Sequence, residues 1–220
     1  NGLVLAKSLN RVRYYQAIFR PSTMDGCIKR LATICTDLDE SERREFAAIV
    51  VKNPILRRDI CNFIPLNEGA CAKVYQCRID DSIFVVKESK TMRSAEEMGI
   101  RLRETLGELR VVSQLIHPNI VKLEGVGIDF DIDLWVGLVF EFCGSGSLHD
   151  MLHINRFYLD AHQKVRIACG VAAALDHLHS LSFIHLDVNS KNVLLDAALS
   201  AKLADFGCAT VAGGGGGGGG

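Results

Sequence analysis

The run Phe183-Ile184-His185-Leu186-Asp187-Val188-Asn189-Ser190-Lys191-Asn192 is followed, thirteen residues after Asn192, by Asp205-Phe206-Gly207. No other feature constrains the chain as much. A carboxylate, a carboxamide and a second carboxylate fall at fixed spacing, separated by the apolar run Val193-Leu194-Leu195. Such an array can hold one general base and two magnesium sites around a nucleoside triphosphate, because hard cations take oxygen ligands.

The pattern upstream says what would carry that array. Residues 63–66, 73–78 and 82–87 are short and β-rich. Residues 95–115 place Leu102, Leu106, Leu109, Val112 and Leu115 on one helical face. His117-Pro118-Asn119 breaks that helix. Two further strands are expected near 121–128 and 134–140, and Gly144-Ser145-Gly146-Ser147 is a turn. Residues 161–180 read as a helix that is apolar or small almost all round, which predicts burial on more than one side. Five strands with one helix, followed by a helical part, define an α+β bilobal plan.

Residues 1–60 read as helical. Asp39 and Glu42 form a capping box ahead of Phe46, Ile49 and Val50, and Asn53-Pro54 should end that helix. The first 62 residues carry eleven Lys/Arg against seven Asp/Glu, and the rest fourteen against nineteen, so a mildly basic arm (+4) precedes a mildly acidic body (−5). Net charge over all 220 residues is −1. Nothing global points to nucleic acid or an anionic membrane. The eight cysteines contain no C-x-x-C pair, which fits reduced thiols in a cytoplasmic compartment better than a disulfide or metal framework. No apolar run approaches the roughly 20 residues of a membrane span, and no signal-peptide pattern opens the chain.

In combination, Lys87, Glu108, His117-Pro118-Asn119-Ile120-Val121, the segment Leu138–Gly144, H-x-D-x-x-x-x-N and D-F-G stand in the order and spacing of a eukaryotic protein kinase. The chain resembles that family over about residues 62–210. Gly144-Ser145-Gly146-Ser147-Leu148 and Asn192-Val193-Leu194-Leu195-Asp196 are most similar to the tyrosine-kinase-like branch of Ser/Thr kinases. The residue pattern gives a helical extension of unknown role at 1–61, and the resemblance implies a kinase domain at 62–212, with a five-stranded N-lobe at 62–140 and a partial helical C-lobe at 141–212. A poly-glycine tail at 213–220 would follow. It implies ATP and Mg2+ as cofactors and a protein Ser/Thr hydroxyl as acceptor, with tyrosine ranked lower.

The resemblance also implies a role for each position. Asn67, Gly69 and Ala72 stand where the family has a three-glycine loop over the phosphates, with Val74 closing it. Lys87 would bridge the α- and β-phosphates and pair with Glu108, with Glu104 as the other candidate. Val85 replaces the usual alanine above adenine and narrows that pocket. Phe140 would be a bulky gatekeeper, the Glu141 carbonyl and Cys143 N–H would bond adenine, Ser147 would reach the ribose, and Leu194 would floor the site. Asp187 would orient the acceptor hydroxyl, His185 would be a packed spine residue, and Asn192 and Asp205 would hold magnesium. Leu186 replaces the arginine that grips a phosphorylated activation loop, a non-RD pattern. Asn189 replaces a lysine that faces the γ-phosphate, and Lys191 would compensate.

Five departures (Asn67, Ala72, Val85, Leu186 and Asn189) favour an alternative reading, a pseudokinase or nucleotide-binding scaffold. A third reading, a truncated product with no role of its own, rests on the missing initiator Met and the run of eight glycines. If the rest of a C-lobe is absent, the flank of the 161–180 helix would be exposed to a partner and the chain would be inactive on peptide.

Overall fold

The computed structural model describes residues 28, 31–32, 38–52, 54–68, 72–89, 95–129 and 135–213. Helix α1 (Glu40–Lys52) opens on the expected capping box. Asp39 N–H donates to Glu42 Oε2 at 2.9 Å, and Glu42 N–H donates to Asp39 Oδ1 at 2.8 Å. The helix ends before Pro54, whose ring cannot follow a helical residue without a clash.

The helical expectation for the arm fails beyond that point. Pro54–Leu56 form a strand, β1, and a 3-10 turn at Arg57–Asp59 leads into β2 (Ile60–Glu68). β1 pairs in parallel with residues 126–128 of β5 (Leu123–Asp129), a tertiary contact that local propensity does not announce. The five expected strands are present, and β1 adds a sixth. With β3 (Ala72–Ile79), β4 (Ser82–Ser89) and β6 (Trp135–Glu141), the sheet runs β1-β5-β6-β4-β3-β2. Every other neighbouring pair is antiparallel.

Helix α2 (Ala95–Val112) joins β4 to β5 and buries Leu102, Leu106, Leu109 and Val112. Its last turn tightens through Gln114 N–H to Val111 O and Leu115 N–H to Val112 O. Leu31, Leu38, Phe46 and Val50 from the arm join that same apolar cluster, so α1 shares the core of the lobe. The cluster continues through Ile120 and Phe206 into the second part of the chain.

That second part begins with a π-helical turn (Asp150–Ile154) and the long helix α3 (Ala161–Ser180). Asp160 and Gln163 form a reciprocal capping box at its start. Ile167, Gly170, Ala174 and Leu178 make its buried stripe, spaced at one helical face. The expectation of burial on several sides is not met among the described residues: Val165 is 61% exposed, and Ala168, Cys169 and Ala172 are exposed beside it. α3 packs on β7 (Phe183–Ile184) and β9 (Ala201–Leu203). β9 pairs with β8 (Val193–Leu195), and β7 with β10 (Thr210–Val211). This is the α+β, two-lobed plan read from the sequence. No described helix is long and apolar enough to cross a membrane.

Candidate active site

Three segments far apart in sequence meet between the lobes. β4 supplies Lys87, α2 supplies Glu108, and the turn after β9 supplies Asp205. Lys87 Nζ donates to both Glu108 oxygens at 2.9 Å and to Asp205 Oδ1 at 2.7 Å. Burial works against the Lys87 ammonium, but the two carboxylates outweigh it and hold its pKa above the usual lysine range. Glu108 goes the other way from an ordinary paired carboxylate. Its burial raises its pKa more than Lys87 lowers it. Asp205 is also penalised by burial, yet Lys87 and the Gly207 N–H leave it below the ordinary range. Glu104 pairs with Arg101 instead, and Glu108 is the glutamate bonded to Lys87.

The loop after β7 is held by its own polar groups. Leu186 (φ 65°) and Asp205 (φ 60°) both take the left-handed conformation, costly for residues with a Cβ and concentrated at functional turns. His185 is 1% exposed and lies 5.0 Å from the Phe206 ring. Its Nδ1 accepts from Asp187 N–H at 3.2 Å, and its Nε2 is 3.0 Å from Ala204 O, so the neutral tautomer with the proton on Nε2 satisfies both. This is a packing role. Asn189 Nδ2 donates to Asp187 Oδ1 at 2.9 Å, and Asn192 Nδ2 to Asp187 Oδ2 at 2.8 Å. The lysine absent at 189 is thus replaced by a short amide that reaches back two residues, while its oxygen accepts from Lys191 N–H.

A cavity of about 170 Å3 lies beside these groups, walled by Val74, Val85, Val121, Phe140 and Leu194 and closed by Lys87, Glu108, Asn192 and Asp205. Glu141 and Lys191 also border it. A second cavity of about 440 Å3, with Asn67, Ala72, Glu104 and Cys208 on its wall, shares Val74, Lys87, Glu108 and Asp205 with the first. Gly69 lies outside the described residues. Ser147 is buried and its Oγ accepts from Asp150 N–H at 3.0 Å, a local turn bond. Cys143 is likewise buried, and burial pushes its thiol up to about 12.

Two supports were not foreseen. Asn119 Nδ2 donates to Ala201 O at 2.8 Å and Asn119 O accepts from Leu203 N–H at 2.7 Å, tying the end of the α2 region to β9. Glu141 Oε1 accepts from Lys202 Nζ and from Lys122 N–H, both at 2.8 Å, pinning the strand that joins the lobes.

The donor set fits a magnesium nucleotide. Asp205 offers a carboxylate held below the ordinary range. The Asn192 amide nitrogen is already used on Asp187, so its oxygen is the atom left for a hard cation. The neighbouring walls are apolar, as a purine requires.

A lysine–glutamate–aspartate cluster under a six-stranded sheet thus stands beside an H-x-D-x-x-x-x-N loop. The protein kinase domain model matches residues 65–216. Wall-associated receptor kinase 5 of Arabidopsis thaliana is 37% identical over 148 residues, 64% of this chain and 19% of that protein. Serine/threonine-protein kinase PBS1, also of Arabidopsis thaliana, is 38% identical over 157 residues, 67% of this chain and 33% of that protein. This chain belongs to the protein kinase family. It spans about a fifth of the wall-associated receptor kinase and a third of PBS1.

Proposed function

We propose that this domain binds ATP with Mg2+ between its lobes and transfers the γ-phosphoryl group to a Ser/Thr hydroxyl of a protein. The observation that carries this reading is Lys87 held between Glu108 and Asp205. Lys87 would grip the phosphates, steadied by Glu108. Asp187 would accept the hydroxyl proton as its oxygen bonds to the γ-phosphorus and the bond to the β-phosphate oxygen breaks. Asn192 and Asp205 would hold magnesium, which when bound neutralises charge developing on the phosphates. Lys191, on the cavity wall, would supply a positive charge in place of the lysine absent at 189. The Ser/Thr acceptor is supported by the likeness to PBS1. A reducing, cytoplasmic setting belongs to the same proposal, supported by the free thiols of exposed Cys61, Cys169 and Cys208.

A second reading, a nucleotide-binding scaffold without turnover, draws on one observation. Both Asp187 oxygens already accept amide N–H groups, from Asn189 and Asn192. That leaves the base less free to take a proton.

The test is phosphoryl transfer from labelled ATP to a mixed Ser/Thr peptide library by the native full-length protein, beside Asp187→Asn and Lys87→Met. Turnover abolished by Asp187→Asn with nucleotide affinity kept establishes the kinase. Nucleotide affinity lost in Lys87→Met, without turnover in the parent, establishes the scaffold. Absence of both sinks the whole reading.

A further inference from the structure

α1 stands on the side of α2 that faces away from the cleft. Arg110 donates to both oxygens of Glu45, at 2.8 and 2.7 Å, and Arg103 Nε donates to Glu42 Oε1 at 3.3 Å. Residues 103 and 110 are two turns apart on one face of α2, and residues 42 and 45 are neighbours on α1. Glu108 lies two residues from both Leu106 and Arg110. At roughly 100° per residue it therefore projects from nearly the opposite side of the helix. Phe46 (1% exposed) and Val50 (1%), which follow Glu45 on α1, share a core with Leu102, Leu106 and Leu109. Glu42 also closes the α1 capping box through its other oxygen, so the contact with Arg103 and the start of α1 are coupled.

We propose that residues 38–52 are a positioning element for the cleft. They fix the rotation of α2 and thereby keep Glu108 against Lys87, with Glu45 and Arg110 as the setting pair. This rests on the nucleotide-cleft reading for its consequence, though not for its geometry. Exposed ion pairs contribute little to stability, and Arg110 and Glu45 are half-exposed, so their value lies in register rather than in holding the fold. The core residues supply the grip. The two bonds of a bidentate guanidinium specify an angle, which an apolar face alone does not. If α1 turns or leaves, Arg110 loses its partner, and α2 can roll Glu108 away from the lysine. Lys87 would then keep only Asp205, and one of the candidate magnesium ligands would remain tied to an ammonium group.

The experiment uses the full 220-residue chain with Glu45→Arg, Arg110→Glu and the charge-swapped double variant, plus Glu45→Gln as a milder change. A zero-length carbodiimide couples a lysine amine only to a carboxylate in direct contact. Peptide mass spectrometry then gives the ratio of the Lys87–Glu108 link to the Lys87–Asp205 link. A merely structural loss lowers both links together and leaves their ratio unchanged. A positioning role lowers the ratio about threefold in each reversal, less in Glu45→Gln, and restores it in the swap. In parallel, ATP affinity should fall about fivefold in each reversal while adenosine affinity stays within about twofold, because only the phosphates meet Lys87. An unchanged ratio in both reversals overturns the proposal, as does a ratio that the swap fails to restore. If the ratio follows the charges but the parent chain binds no nucleotide, the positioning element stands and the nucleotide reading falls.

Discussion

Lys87 Nζ lies at 2.9 Å from both oxygens of Glu108 and at 2.7 Å from Asp205 Oδ1, so one ammonium serves a buried and a half-exposed carboxylate at once. The two carboxylates respond oppositely. Glu108, dominated by burial, titrates above its usual value; burial opposes Asp205 too, but Lys87 and the Gly207 N–H together take it below its own. The folded state thus favours Lys87 charged, a contribution present below the unfolded lysine pKa and lost as pH rises through the higher folded one. Asp205 contributes above its unfolded pKa, and that contribution is lost as pH falls through the lower folded one.

Lys87→Met should expose this balance. Without the ammonium, Glu108 is a buried charge with no counter-ion, and its pKa should climb further. Protonated at about pH 4 it costs little; ionised near neutrality it should cost roughly 2–4 kcal/mol. Urea unfolding of parent and variant at both pH values checks this. An equal loss at both would mean that Glu108 ionisation is not what the lysine offsets.

Asn189→Ala should separate orientation from affinity. Asn189 Nδ2 holds one Asp187 oxygen, and its Oδ1 accepts from Lys191 N–H at 2.9 Å. On the proposed kinase reading, loss of that hold should lower kcat about tenfold in the full-length protein, with KM for ATP within about twofold. A rise in kcat would show that the amide restrains the base, and would favour the scaffold reading.

The site was legible because its parts are written as short local motifs with little freedom in type. The order and spacing that resemble a protein kinase name Lys87, Glu108 and Asp205, and these three meet. Features that depend on what a segment meets were not legible. Pro54–Leu56 carries no strand signal strong enough to stand alone, and it becomes β1 only by pairing with β5. The local bond from Asp150 N–H to Ser147 Oγ is likewise set by the turn in which it sits. The Asn189 side chain bonds Asp187 and the Lys191 N–H, contacts that depend on how the loop closes.

The cysteines should divide by burial. Burial pushes the Cys77 thiol to about 11 and that of Cys143 to about 12. Cys61, Cys169 and Cys208 are exposed. At about pH 8 only a thiolate alkylates readily, so among the described cysteines iodoacetamide should label these three before Cys77 and Cys143. Peptide mapping over time in the native protein, with a denatured control, checks this. Early labelling of Cys143 would mean that the segment joining the lobes opens.

Gly170→Ala tests the contact between α3 and the segment after α2. Alanine normally favours a helix over glycine by about 1 kcal/mol. Here a Cβ would sit 2.8 Å from Asn119 Nδ2 and 3.2 Å from Ala201 Cβ. Asn119 cannot simply swing away, because that nitrogen donates to Ala201 O. Overpacking of this kind costs roughly 1–3 kcal/mol, and the lost hydrogen bond adds to it, so the variant should be less stable by about 1–2 kcal/mol despite its better helix propensity. Asn119→Ala alone should also destabilise, by leaving Ala201 O without its partner. Combined, the two changes should cost less than their sum, since the atom that the new methyl strikes is gone. A strictly additive double-mutant cycle in denaturant unfolding would mean that α3 and the Asn119 segment do not meet at this contact.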